Sequence, residues 1–399
     1  MRLFALLLLV CLIFPDMSRA EPSNFGECLG RLQQLARERQ LPEWIVEDIV
    51  GQLKYQARVM ELDRKQPEFI QTFEQYYRNR VTPGRVERGR ELYARHQNLL
   101  LKLTRQYGVP GHYLIAFWGM ETNFGSYLGK MPTLDSLATL ACDDRRGDFF
   151  ATELITALRL LERDKLSTAQ MRGSWAGAMG HVQFMPSTYH RFAVDGNADG
   201  QVDLWGSSED ALTSAANYLS QLGWQSGERW GRQVLLPEGF DYGQTGMSNP
   251  QPLSYWRELG VLRADRRELP ELPLETTILA PMGHLGPAFV LYRNFSVIMR
   301  WNRSHAYALS IGLLADSIAG APGLPATVFH PVPTLNRQLI EQLQAALNAK
   351  GFATGEPDGV IGPATRSALR QFQASIGLIA DGFPDAKTLA ALELGGADD

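Results

Sequence analysis

The chain has 399 residues, 45% of them hydrophobic and 21% charged, enough for a sizeable core and more than one packed unit. Its 39 Lys and Arg against 43 Asp and Glu leave a formal net charge of −4, and nothing in their spread marks a nucleic-acid partner. The seven His residues form no HExxH or Cys/His zinc spacing, and the chain carries no GxSxG elbow and no phosphate loop.

Residues 1–20 read as an export signal. Arg2 supplies the positive start, Phe4 to Phe14 the apolar run, and Ser18-Arg19-Ala20 a small-x-small cleavage site before Glu21. The run is too short to span a bilayer comfortably, and Val10 before Cys11 is not the small residue of a lipoprotein signal. No stable membrane anchor is expected. Removing the signal leaves Cys28 and Cys142, which either form a disulfide or remain two buried thiols.

From Phe25 to Tyr107 the pattern is helical: Cys28, Leu32 and Leu35 keep helical spacing, Trp44 to Leu53 forms a second segment, and Gln66 to Phe69 marks another start. Thr82-Pro83-Gly84 precedes a helix expected over Val86 to Tyr107. The next helix is the informative one. Pro110 can open it and Gly125 can close it, and Leu114, Phe117, Trp118 and Glu121 fall at i, i+3, i+4 and i+7 on one face. An apolar face and the negative end of the helix dipole both disfavour ionised Glu121. A carboxylic acid kept protonated near neutrality is what general-acid cleavage of a glycosidic bond requires. From this helix alone, a structural ion pair explains Glu121 equally well.

Cys142 to Asp148 is a charged turn before a helix expected over Phe149 to Glu162. Gly173-Ser-Trp-Ala-Gly-Ala-Met-Gly-His-Val-Gln-Phe-Met-Pro186 then combines close-approach glycines with neutral Ser174 and Gln183 and with aromatic faces, a surface suited to a carbohydrate. Taken alone, it reads more readily as tight packing through small residues.

Together, Trp118-Gly-Met-Glu-Thr-Asn-Phe-Gly125 and Gly173 to Tyr189 resemble the B-type lytic murein transglycosylases, in order and in spacing, with likeness from about Phe25 to Ala319. That resemblance implies a mainly α, lysozyme-like helical catalytic domain with a small β-containing subdomain, acting on bacterial peptidoglycan in the periplasm. It implies Glu121 as the single catalytic acid/base, Ser174, Gln183 and Tyr218 as substrate contacts, and Trp301 and Tyr307 as substrate-lining aromatics. No cofactor for the chemistry is implied. The rival readings are a hydrolytic muramidase with Asp143, Asp144 or Asp148 as base, and a non-catalytic peptidoglycan-binding scaffold.

Asp195-Gly-Asn-Ala-Asp-Gly-Gln-Val-Asp203 places oxygen side chains at positions one, three, five and nine of an EF-hand-type loop, with Gly200 at six and Gly206 where Glu is expected. The alternative is a plain Asp-Gly turn. With the resemblance, the candidate ligands of a structural calcium or sodium ion are Asp195, Asn197, Asp199, Gln201 and Asp210, with Glu209 as the other closing carboxylate.

Trp224 to Leu274, Thr276 to Ala280 and Phe289 to Met299 read as loops with a few short strands. An apolar helix runs to Ala319, and 321–334 reads as a linker between a catalytic unit at 21–320 and a last unit at 335–396. In that unit Leu339, Leu343 and Leu347 make one helix face and Thr365, Leu369 and Phe372 a second, joined by Asp358-Gly-Val-Ile-Gly-Pro-Ala-Thr365. Asp381-Gly382 echoes that turn before a third short helix. The pattern resembles a small three-helix peptidoglycan-binding domain. Expected partners are peptidoglycan glycan strands, with cell-wall synthesis or hydrolysis proteins as candidates, and no nucleic acid.

Overall fold

The computed structural model describes residues 24–64 and 71–394; the expected export signal and the start at Gln66 to Phe69 lie outside them. From Phe25 to Tyr107 the described residues are mainly helical, as expected. Phe25–Glu38 buries Phe25, Cys28, Leu32 and Ala36 along one stripe. Cys28 is disulfide-bonded to Cys142 at the end of the Thr133–Ala141 helix, 114 residues on. Closing a loop of that length stabilises the fold by about 4–5 kcal/mol in the chain-entropy model. The helix expected over Val86 to Tyr107 is two helices, Pro83–Arg95 and Gln97–Tyr107, parted at His96. Thr82 caps the first through a bond from the Arg85 amide, with Pro83 in the first turn.

The Gly111–Thr122 helix sits at the centre. Pro110, in extended geometry, begins it, and Asn123 in the left-handed region ends it. The expectation of one apolar face is too modest: Tyr113 through Met120 are all buried. Such all-round burial marks a core helix, and truncating Phe117 would cost about 3–5 kcal/mol. Its neighbours include Pro83–Arg95 and His305–Ile318. On the latter, Gly312 lets the backbone meet Trp230, since an added Cβ would lie 2.3 Å from the indole.

The small β unit is a five-stranded antiparallel sheet in the order Gln251–Pro252, Glu275–Leu279, Ala288–Leu291, Gly231–Leu235, Leu262–Arg263. It has its own core around Val234, Trp256, Ile278 and Val290. In Phe289 to Met299, expected as loops with short strands, the strand stops at Leu291, and Arg293–Trp301 is a helix burying Asn294, Phe295, Val297 and Ile298.

Three helices, Arg337–Ala349, Pro363–Ser375 and Ala386–Ala391, pack on Leu343, Leu347, Leu369, Phe372 and Leu389. They contain one knot twice. The Gln344 amide donates to Asp358 and Thr365 and accepts from the Gly359 N–H. The Gln373 amide does the same with Asp381, Thr388 and Gly382. The second copy also grips the larger unit: Asp381 Oδ2 accepts from the His284 amide at 2.9 Å and bonds its ring at 2.6 Å. Gly283, at φ +57°, lies so close to that carboxylate that an added Cβ would overlap it. Residues 321–334, read as a linker, lie against the helical unit. Phe329 packs on Phe73 and Tyr77, and the Leu324 amide donates to the Tyr77 hydroxyl.

Candidate active site

Glu121 occupies the last turn of the central helix. The chain turns sharply behind it, with Asn123 and Phe124 both at positive φ. Glu121 as a residue is partly exposed, as an acid that must reach substrate has to be. Burial is the largest influence and raises its pKa from 4.5 to about 7. Hydrogen bonds from Tyr307 and Trp301, and then the positive charge of Arg80, oppose that rise. Two opposed influences leave the group near the point where it can both give and take a proton. Among the described residues, no second carboxylate is among the charges acting on it.

Tyr307 is buried, and its hydroxyl donates to Glu121 Oε1. Burial, and then the Glu121 charge, hold that phenol well above its usual pKa, so it keeps its proton and remains a donor. Trp301 stacks within an aromatic group, 4.3 Å from Phe117, 5.4 Å from Phe184 and 5.2 Å from Tyr218 between ring centroids. The two residues expected to line substrate therefore also hold the acid.

The floor is zipped to the acid's own segment. Met131–Pro132 pairs with Arg172–Gly173, and Gly129 touches the Gly173 carbonyl so closely that only a glycine fits. Ser174 shapes the loop: its amide donates to the Ala178 carbonyl at 2.8 Å and its hydroxyl accepts from the Ala178 amide at 3.0 Å. Gln183, at φ +49°, donates its amide to the carbonyls of Leu128 and Gly180. Tyr218, half-buried, packs on Phe184 and Phe192. Glu121, Gln183, Tyr218, Trp301 and Tyr307 are thus joined by direct contacts or through their immediate neighbours, and Ser174 lies on the same floor segment. His181 is a member that spacing did not single out, although it stands inside the floor motif: it accepts from the Trp118 indole at 3.0 Å.

Asp143, Asp144 and Asp148, the candidate hydrolytic bases, line a surface pocket beside the disulfide with Arg145 and Arg146, and Glu121 does not line it. Asp143 is paired with Arg145.

The EF-hand-type loop is folded on its own amides. Asp195 accepts from Ala198, Asp199 and Gly200, and Asp199 accepts from the Gln201 amide and the Asn197 side chain. Asp210 is fully buried and takes the amides of Gly196, Asn197 and Asp203. Among the described residues no group of three or more His, Cys, Asp or Glu converges to hold a metal. The carboxylate and amide oxygens of Asp195, Asn197 and Asp199 suit a hard cation chemically, and those of Asp210 are fully buried.

Comparison with known proteins agrees with this geometry. The family model described as "Transglycosylase SLT domain" matches residues 24–316, and a peptidoglycan binding domain model matches 336–392. The membrane-bound lytic murein transglycosylase B of Escherichia coli (strain K12) is 31% identical over 260 residues, a match covering 61% of this chain and 66% of that protein's length. SltB3 from Pseudomonas aeruginosa, solved in complex with NAG-anhNAM-pentapeptide, has a TM-score of 0.87 at 38% identity over 93% of this chain and 100% of that one. The Escherichia coli lytic transglycosylase Slt35, solved in complex with calcium, has a TM-score of 0.64 at 28% identity over 74% of this chain and 93% of that one. The chain belongs to the transglycosylase SLT family and joins its lysozyme-like catalytic fold to a peptidoglycan-binding unit.

Proposed function

We propose that the protein is an exported lytic transglycosylase of the periplasm, cleaving the β-1,4 bond between N-acetylmuramic acid and N-acetylglucosamine in peptidoglycan with Glu121 as the single acid/base. The observation that carries this reading is the poise of Glu121: burial raises its pKa to about 7 while donors stand ready for its charge. Protonated Glu121 gives its proton to the glycosidic oxygen, and the bond to the muramic anomeric carbon breaks. The Tyr307 and Trp301 bonds favour the carboxylate that remains. The substrate's own acetamido group stabilises the cationic centre, as in substrate-assisted glycosidases. The carboxylate then withdraws the proton of the muramic C6 hydroxyl, whose oxygen closes on the anomeric carbon. The product is a 1,6-anhydro sugar, no water is consumed, and Glu121 is protonated again.

Ser174, Gln183 and Tyr218 would contact the sugars, and Trp301 and Tyr307 would wall the cleft behind the acid. A calcium or sodium ion on the Asp195, Asn197, Asp199 and Gln201 loop, braced by Asp210, would be structural and take no part in the reaction. The 335–396 unit would hold insoluble peptidoglycan.

Glu121→Gln tests the assignment. The exchange keeps shape and removes the transferable proton, so turnover of peptidoglycan should fall about 10³-fold or more with sacculus binding retained. Activity within about tenfold of wild type would remove Glu121 from the role.

A further inference from the structure

We infer that His181 is a positioning residue that keys the sugar-binding floor to the acid-bearing helix. The reading rests on Glu121 being the acid, but it concerns what sets the distance between that acid and the floor. Glu121 belongs to one segment, and Ser174 and Gln183 to another some sixty residues on. General-acid catalysis needs the two held within a fraction of an ångström, and a misplacement of about 1 Å costs on the order of 10²-fold.

His181 touches the helix on both sides of Glu121. Its ring Nδ1 accepts the Trp118 indole N–H at 3.0 Å, three residues before the acid. Its carbonyl accepts the Thr122 hydroxyl at 2.8 Å, one residue after it. That hydroxyl in turn accepts the Gly125 amide at 3.0 Å, which fixes the turn leaving the helix. The ring fills the space over Gly125, where an added Cβ would overlap it.

The other side of His181 is anchored to the floor's surroundings. Its amide donates to the Leu204 carbonyl at 2.8 Å, and Trp205 follows directly in the chain. The Trp205 indole donates to the Arg172 carbonyl at 2.8 Å, next to Gly173 where the floor begins. The path therefore runs from helix to His181 to Trp205 and back to the floor. Only the Trp118 link depends on the chemistry of the ring, because the backbone bonds survive substitution. The indole N–H has no other acceptor among the bonds of the described residues. Removing its acceptor leaves a buried donor unpaired, and the helix turn carrying Glu121 must shift or lose order.

The test contrasts two replacements in the full-length protein, assayed on soluble peptidoglycan fragments. His181→Phe keeps the ring over Gly125 and removes the acceptor. His181→Asn puts an amide oxygen near the place of Nδ1. His181→Phe should lower kcat about tenfold with KM within about twofold, and His181→Asn should stay within about threefold of wild type. Trp118→Phe deletes the donor, and the Trp118→Phe, His181→Phe double variant should lose no more kcat than the worse single one. That cycle serves even if His181→Phe is less stable, provided each kcat is taken per folded molecule from the melting curve. A His181→Phe kcat equal to wild type, an Asn variant as impaired as the Phe variant, or additive losses in the double variant would each overturn the inference. Failure of Glu121 as acid would instead show in Glu121→Gln alone.

Discussion

The cleft and the loop before the Ser208–Gln221 helix each withdraw a carboxyl group from water, and they supply it differently. Asp210 stands in the first turn of its helix, and three backbone N–H groups meet its oxygens. Glu121 stands in the last turn of its helix, where, among the described residues, two side chains from a distant part of the chain and no backbone amide point at it. The first arrangement ties a loop through three backbone bonds. The second leaves a carboxyl whose proton is held loosely enough to be given and retrieved. Burial alone does not make an acid; the number and origin of the donors decide.

Removing the well-supplied group should cost the most stability. Asp210→Ala leaves three amides around an emptied site, and denaturant unfolding should show a loss of about 3 kcal/mol with an unchanged m-value. An unaltered midpoint would mean that the loop does not depend on this carboxylate.

Glu121 should show the opposite sign. Its folded-state pKa is raised, so the stability tied to its protonated form is complete below about 4.5 and lost as pH rises through about 7. Glu121→Gln cannot ionise. It should match wild type near pH 4 and exceed it by about 2 kcal/mol at pH 8, after allowance for screening at the cleft mouth. A variant less stable than wild type at pH 8 would refute the unfavourable burial of the charge.

Taking away one donor should shift the balance without destroying it. Tyr307→Phe removes a bond that favours the carboxylate, so the acid should hold its proton to higher pH. The alkaline limb of kcat/KM, set near 7 in wild type, should move up by about one unit. A limb that stays in place would show that Tyr307 does not tune Glu121.

The smallest effect belongs to the cation. Calcium in excess over chelator should raise the melting temperature by about 2 °C through the Asp195–Asp210 loop, and Asp195→Ala with Asp199→Ala should abolish the response. Identical melts in both conditions would leave the loop a plain turn.

The division between legible and hidden features follows the range of the interactions. The helix carrying Glu121 was legible because it is local: Pro110 starts it, and its apolar residues recur at helical spacing. Tyr307 as its donor was not, since 186 residues separate the partners. The Arg293–Trp301 helix was hidden because Phe289, Val290 and Leu291 run on toward Phe295, Val297 and Ile298; the period changes at Tyr292 with no Gly or Pro to announce it. The division of Val86 to Tyr107 at His96 was hidden for the same reason. The Asp381-Gly382 echo was visible as a turn, but its grip on Gly283 and His284 depends on a fit between surfaces that no local pattern encodes.

The central claim is that one poised carboxyl does both proton transfers, so that the sugar's own hydroxyl takes the place of water. Digesting sacculi in heavy-oxygen water and weighing the muropeptides tests it most directly. A bound C6 hydroxyl has a high effective concentration and should outcompete solvent. The account predicts muropeptides ending in 1,6-anhydro-muramic acid, lighter by one water than hydrolysed ends and free of the heavy label. Reducing ends carrying heavy oxygen as the main product would contradict it.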